Sequence, residues 1–323
     1  MSCYFQESLE QTSGVGGAAP AAAAAAPSPT PEGIDFKIFN EKYRFDFSAK
    51  PVGKGKFGVV NFGVILESGK PVVCKSVYIG PPTSIIPKPP SKEQILQEAQ
   101  FGMSLPESPH LCKVYDFSVN GDFVYIAMEC IRGVVANDFF NQKQHSSLST
   151  TNPALLRRIF FQIAKGLFTM HRAGISHRDI KFDNIMIEGE GESMRVVIID
   201  FGFTREVSKI PANCKEGTIE YIAPEIIQEK KQTESVDIWA FGVMLFVVLF
   251  RKFPFQNQHF KSLDEERRFI YSQLLKLKVN IELPPYTGDD ENVILFRQIC
   301  ARCLVFDQSA RISAEELLAM LSS

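Results

Sequence analysis

No apolar run in this chain is long enough to cross a membrane. The longest, Ile238 to Phe250, is closed by Asp237 and Arg251, and a span needs about 20 residues. An excess of charge is also missing. Lys plus Arg number 35 against 37 Asp plus Glu, a formal net charge of −2, so the basic surplus of a nucleic-acid binder is absent. The N-terminus has Glu7 and Glu10 and no basic region, so no secretory signal is expected there. Cysteines are few and odd in number, seven scattered along 323 residues. A core of this size needs no disulfide staples, so the composition reads as a protein of a reducing compartment, cytoplasmic with the nucleus left open. Cys300 and Cys303 have a zinc-like spacing. No second Cys or His pair completes a ligand set, and the two read as one buried helix face.

The length suggests one to two domains. Residues 1–40 differ from the rest, because Gly14 to Pro31 is nearly all Ala, Gly, Pro, Ser and Thr. Pro20 and Pro27 fence the Ala21–Ala26 run, which is too short for a stable isolated helix. This stretch reads as a disordered tail with nothing large to bury. It serves either as a spacer or as a Pro-rich motif for a partner.

From Tyr43 the pattern turns strand-like. Tyr43–Val52, Val59–Leu66 and Pro71–Tyr78 are short runs rich in Val, Ile and Phe, and Glu67–Lys70 is a turn. A helix is expected over Lys92–Leu105, then strands at Leu111–Val119 and Phe123–Met128, with Asn120-Gly121 as their hairpin turn. After Gly133 helices dominate. Ala154–Arg172 has apolar residues at helical spacing, and Val236–Phe250 is apolar almost all round, as in a helix buried at a domain centre. Further helices are expected at Phe269–Leu277, Val293–Leu304 and Ala314–Leu321, the last behind a capping box of Ser313 and Glu316. The fold class is α+β: a small sheet-rich unit over 41–130, then a larger helical unit over 131–323.

The chemistry-bearing motifs occur in order. Val52, Gly53, Lys54, Gly55, Lys56, Phe57, Gly58, Val59 and Val60 contain G-x-G-x-x-G. A strand follows instead of a helix, so this loop closes a hairpin whose backbone N–H groups could cover phosphates. Lys75 sits in an apolar strand, where a charge is costly unless paired, and Glu98 on the next helix is a candidate partner. His177-Arg178-Asp179-Ile180-Lys181-Phe182-Asp183-Asn184 follows the long helix; Asp200-Phe201-Gly202 and Ala223-Pro224-Glu225 come later. A glycine loop, a strand lysine, H-R-D, D-F-G and A-P-E at this spacing form a specific set.

With these motifs the chain resembles the protein kinases from Tyr43 onward. The resemblance implies a two-lobe fold, an N-lobe over 41–130 and a C-lobe over 131–323, with ATP and Mg2+ in the cleft. It implies transfer of the γ-phosphoryl of ATP to Ser or Thr hydroxyls of protein substrates. Asp179 would orient the acceptor hydroxyl and Lys181 add positive charge beside the transferred group. Lys75, held by Glu98, would grip the other phosphates, and Asn184 and Asp200 would ligate magnesium. Val60 and Val73 would sandwich adenine, Met128 would limit pocket depth, and Glu129, Cys130 and Ile131 would form the hinge. His177 would pack beneath Phe201, Asp237 would anchor the catalytic loop, and Glu225 would pair with Arg311. Lys181 together with Gly217-Thr218 is similar to the serine/threonine class. Ser108–Val114, Gly217-Thr218-Ile219, and Val236–Phe250 with Phe253-Pro254 resemble the Src-homology-3-binding-domain kinases. No nucleic-acid or membrane partner is implied. The alternatives are a catalytically dead scaffold or a small-molecule kinase on the same fold.

Some residues depart from the family pattern. Phe182 stands where small residues or Pro are usual, Val73 replaces Ala, and Lys54 and Lys56 add charge to the glycine loop. Cys214 takes the place of a phosphorylatable Thr three residues before Gly217, although Arg178 is present. Glu216 is expected to reach Arg178 as a permanent phosphate substitute. Cys214 reads either as a structural cysteine or as a redox-sensing thiolate favoured by Lys215 and Arg178.

Overall fold

The computed structural model describes residues 36–54, 58–86, 88–141, 152–255, 260, 262–278, 280–288 and 290–322. Of the tail expected over 1–40, residues 1–35 lie outside them, as do Gly55, Lys56 and Phe57 of the glycine loop, while Phe36–Phe39 form a strand instead. Two compact units emerge. Unit 1 comprises the chain to Leu96 with Val114–Cys130, and unit 2 comprises Gln97–Lys113 with Ile131–Ser323.

Unit 1 is an antiparallel sheet. Its strands are β1 (Phe36–Phe39), β2 (Tyr43–Asp46), β3 (Gly53–Lys54), β4 (Gly58–Ile65), β5 (Pro71–Tyr78), β6 (Val114–Asn120) and β7 (Phe123–Glu129). The order is β1-β2-β4-β5-β7-β6, with β3 also pairing β4. Phe39, Tyr43, Phe45, Val72, Cys74, Tyr125 and Ala127 form its buried cluster. The run expected as one strand over Tyr43–Val52 breaks after Asp46. The Asp46 carboxylate accepts from the Ser48 and Ala49 N–H groups at 2.9 and 3.1 Å, and this local turn competes with the ladder. The Asn120-Gly121 hairpin forms as expected, with Gly121 at φ +55°. Helix α1 (Lys92–Ser104) spans the boundary between the units.

Unit 2 contains β8 (Gly133–Val135), α2 (Ala136–Asn141), α3 (Pro153–Arg172), β9 (Ile175–Ser176), β10 (Ile185–Glu188), β11 (Arg195–Ile198), β12 (Arg205–Glu206), α4 (Pro224–Ile227), α5 (Ser235–Phe250), α6 (Leu263–Lys276), α7 (Glu291–Cys303) and α8 (Ala314–Ser322). Asn152 caps α3 by accepting from Ala154 N–H at 2.9 Å, with Pro153 in the first turn. Helix α5 is buried from Val236 to Val248 and packs against α7, while α3 packs against α8. Ser313 and Glu316 form the expected capping box: Glu316 accepts from the Ser313 N–H at 2.9 Å, and Ser313 Oγ accepts from the Glu316 N–H at 3.2 Å. Cys300 and Cys303 are fully buried, and burial pushes both thiols up, as for packing residues. Cys214, Cys300 and Cys303 are in no disulfide. No helix among the described residues is long and apolar enough to cross a membrane.

Candidate active site

In unit 1 the sheet register sorts the candidate residues. Val60 opposes Lys75 and Phe62 opposes Val73 across β4 and β5. Val73 opposes Met128 and Lys75 opposes Ile126 across β5 and β7. Directly opposed residues project to the same face, so Val60, Val73, Lys75 and Met128 share one face. Glu129 opposes Val72 and belongs to the other, leaving its backbone as the part that could read a base. Gly53 and Lys54 pair with Val60 and Val59, which puts the start of the glycine loop over β4. Val52 is exposed, and its N–H donates to Val60 O at 2.9 Å. Gly58 has no room for a side chain, because a Cβ there would come within 1.8 Å of Ser76 O.

In unit 2 the loop after β9 carries the polar cluster. Asn184 Nδ2 donates to the Asp179 carbonyl at 2.8 Å and to its Oδ2 at 2.9 Å. Lys181 Nζ stands 2.9 Å from the same Oδ2. Thr218 Oγ1 donates to Asp179 Oδ1 at 2.6 Å and accepts from Lys181 Nζ at 2.7 Å. Asp179 is buried, so each donor counts for more than it would in water. In the sequence Thr218, with Gly217 and Lys181, marks only a likeness to the serine/threonine class, and its contact with the Asp179 carboxylate is not foreseen there.

Asp237, at the start of α5, holds this loop from beneath. Its carboxylate is fully buried. Oδ2 accepts from His171 Nε2 at 2.9 Å, Ser176 Oγ at 3.0 Å and His177 N–H at 2.9 Å, and Oδ1 accepts from Arg178 N–H at 2.7 Å. Burial pushes the carboxyl up, but His171 and the Arg178 N–H outweigh it and the net direction is down. Arg178 itself has φ +71°. The His177 ring packs edge-on against Phe201 at 5.8 Å, the position expected of a structural histidine. Phe182 is buried against Phe140, with ring centroids 5.1 Å apart.

Asp200 also has positive φ, +66°, and its Oδ1 accepts from Gly202 N–H at 3.3 Å. A Cβ on Gly202 would stand 3.3 Å from Asp200 Oδ1 and 3.4 Å from Glu98 Oε2, so Glu98 lies at the Asp200–Gly202 turn. The Ile199 N–H donates to Asn184 O at 2.9 Å, tying this strand end to the loop that carries Asn184. Because the Asn184 amide nitrogen is spent on Asp179, its oxygen is left as a hard donor like those of Asp200. No group of three metal-ligating side chains occurs among the described residues. A pair of oxygen ligands, with water and phosphate completing the shell, suits magnesium.

The segment from Asp200 to Glu225 departs from expectation at Glu216, and at Cys214 it decides between the two readings. Arg178 does not meet Glu216. Its NH1 donates to Gln232 Oε1 at 2.6 Å and its NH2 to Cys214 O at 3.2 Å, while Nε is buried without a partner. Glu216 instead pairs with Arg205 at 3.1 Å and accepts from Cys214 Sγ at 3.2 Å. Nor is a Cys214 thiolate favoured. Burial and the Glu216 hydrogen bond push its thiol up, against the pull of Arg178, and Lys215 is held by Glu229 at 2.6 Å. Gln232 was not singled out in the sequence, which gives no sign that it lies under the arginine.

A family model described as "Protein kinase domain" matches residues 48–321. Among curated proteins, the chain is 29% identical over 271 residues to an Aurora kinase of Eremothecium gossypii, covering 83% of this chain and 66% of that protein. It is 30% identical over 234 residues to serine/threonine-protein kinase PSK1 of Saccharomyces cerevisiae, covering 67% of this chain and 16% of that one. It is also 30% identical over 200 residues to human serine/threonine-protein kinase H1, covering 60% and 43% respectively. In all three the chain spans less than two thirds of the relative's own length.

Proposed function

This chain belongs to the protein kinase family, and from that premise we propose that it transfers the γ-phosphoryl of ATP to serine or threonine hydroxyls of proteins. The observation that carries the reading is the Asp179 carboxylate, fixed by Asn184, Lys181 and Thr218 at 2.6 to 2.9 Å. Phosphoryl transfer asks a protein for positioning and charge neutralisation more than for covalent chemistry. Asp179 accepts a hydrogen bond from the acceptor hydroxyl, aims its oxygen and takes its proton. Lys181 puts positive charge beside that oxygen. Asp237 keeps the loop in register by holding two successive N–H groups.

Lys75, on one sheet face with Val60, Val73 and Met128, binds phosphate oxygens while the apolar residues take the base. Asn184 and Asp200 hold magnesium, which, when bound, neutralises phosphate charge. The subfamily reading, a Src-homology-3-binding-domain kinase, rests on Ser108–Val114, Gly217-Thr218-Ile219, and Val236–Phe250 with Phe253-Pro254, and Pro-rich partner recognition rests on the Gly14–Pro31 stretch.

The experiment is ATP turnover on a generic protein with Asp179→Asn as the control. Loss of the base should lower kcat by at least about 100-fold with nucleotide binding retained. Near wild-type turnover in Asp179→Asn would refute the assignment.

A further inference from the structure

Helix α6 carries two exposed arginines, Arg267 and Arg268, beside the segment that holds Thr218. Neither is in an ion pair with any described residue. The helix packs against the Ile219–Tyr221 turn. Ile219, Arg267, Arg268 and Tyr271 line a surface cavity of about 340 Å³. Arg268 spends its Nε on the Asp264 carbonyl of its own helix at 3.1 Å, which leaves its terminal nitrogens unspent.

Nearby carboxylates neutralise this spot only in part: burial and Glu220 push the Glu266 carboxyl up, and Arg267 draws it down. Glu220 and Glu266 are buried. Glu229 is taken by Lys215 at 2.6 Å, and Lys215 in turn donates to the Tyr271 hydroxyl at 3.1 Å. The cavity therefore joins an apolar wall, an aromatic ring and two cations with forked donors, a combination suited to a carboxylate at the end of a short alkyl stem.

Its place relative to the chemistry fixes the occupant. Ile219 is the neighbour of Thr218, whose hydroxyl lies 2.6 Å from Asp179 Oδ1. An extended peptide advances about 3.3 Å per residue. A substrate whose hydroxyl meets Asp179 would bring a side chain to the cavity within about two to four residues on that basis. We propose that Arg267 and Arg268, with Ile219 and Tyr271, form a subsite selecting protein substrates with an aspartate or glutamate about two to four residues from the acceptor hydroxyl. The proposal rests on the kinase reading above.

A serine peptide with alanine flanks, and its single-aspartate scan on both sides of the serine, tests it with the full chain. The expected result is a rise in kcat/KM of about five- to tenfold at one or two adjacent positions on one side, the scale of partly exposed charge pairs. The rise should shrink with added salt. Arg267→Gln/Arg268→Gln should remove the preference, and Arg267→Glu/Arg268→Glu should turn it toward lysine at the same positions, with melting temperatures matching wild type. An aspartate preference unchanged in these variants, no preference at any position, or a gain from phosphoserine but not from aspartate would each overturn the subsite. No turnover on any peptide or protein would refute the kinase reading, and the subsite with it.

Discussion

Arg311 grips both carboxylate oxygens of Glu225, NH1 to Oε1 at 2.7 Å and NH2 to Oε2 at 3.1 Å, with both side chains buried. The remaining donors of Arg311 go to the Ser235 and Val305 carbonyls at 2.8 to 3.1 Å, and its guanidinium lies 5.1 Å from the Trp239 ring centre. This one cation thus ties the short helix α4 to the start of α5 and to the turn before α8. Removing one partner strands a buried charge, at a cost of about 3–5 kcal/mol. Glu225→Ala should lower the melting temperature by roughly 10 °C. A melting temperature equal to wild type would show that the pair contributes little.

Much of this was legible in the sequence, because the motifs require particular residue types at fixed separations. The Glu225–Arg311 pair forms where it was expected. Strand β1 was not legible and lies within the stretch read as tail. Its hairpin turns through Asn40 and Glu41, both at positive φ, +47° and +56°, and a glutamate there is no turn signal. The first turns of α6 were missed because Leu263–Arg268 is almost entirely polar. The structure shows the start to be capped by Ser262, whose Oγ accepts from Glu265 N–H at 3.2 Å. Strands of two or three residues, such as β8, β9 and β12, are set by tertiary pairing and leave no period to read. Gln232 under Arg178 is a contact 54 residues apart, and pairing at that range has no local pattern.

Thr218 should affect turnover more than nucleotide binding. Its hydroxyl bridges Asp179 and Lys181 at 2.6 and 2.7 Å. Thr218→Val keeps the shape and removes both hydrogen bonds, so the carboxylate and the ammonium lose a shared brace. A fall in kcat of about 10- to 100-fold is expected from such a small misplacement, with the KM for ATP nearly unchanged. Steady-state kinetics at varied ATP check this; an unaltered kcat would leave Thr218 a packing residue.

Asp237 makes a prediction about pH. Its folded carboxyl sits below the ordinary 3.8, so the unfolded chain binds its proton first as pH falls. The stabilisation is present above the ordinary carboxylate range and is lost as pH drops through the lower folded value. Asp237→Asn should lack this part of the acid sensitivity and be less stable at pH 7, because an amide cannot accept from all four donors. Urea unfolding of both proteins between pH 3 and pH 7 measures it. Parallel pH profiles for the two would contradict the assignment.

The activation segment is held without a phosphate. Arg178, the arginine of H-R-D, is buried and donates to Gln232 at 2.6 Å and to the Cys214 carbonyl at 3.2 Å. Gln232 also donates from Nε2 to the Ala212 and Cys214 carbonyls at 3.0 Å. One buried amide therefore links the arginine to the backbone around Cys214, where a threonine phosphate would otherwise do so. Protein purified from bacteria should be active, and phosphatase treatment should leave that activity in place. Gln232→Ala removes the acceptor from a buried guanidinium, a loss of about 1–3 kcal/mol, and should loosen the segment and lower turnover. If phosphatase instead abolishes activity, and it returns only when Thr204, Ser208 or another hydroxyl of this segment is re-phosphorylated, the Arg178–Gln232 link is not what holds the segment in its active form.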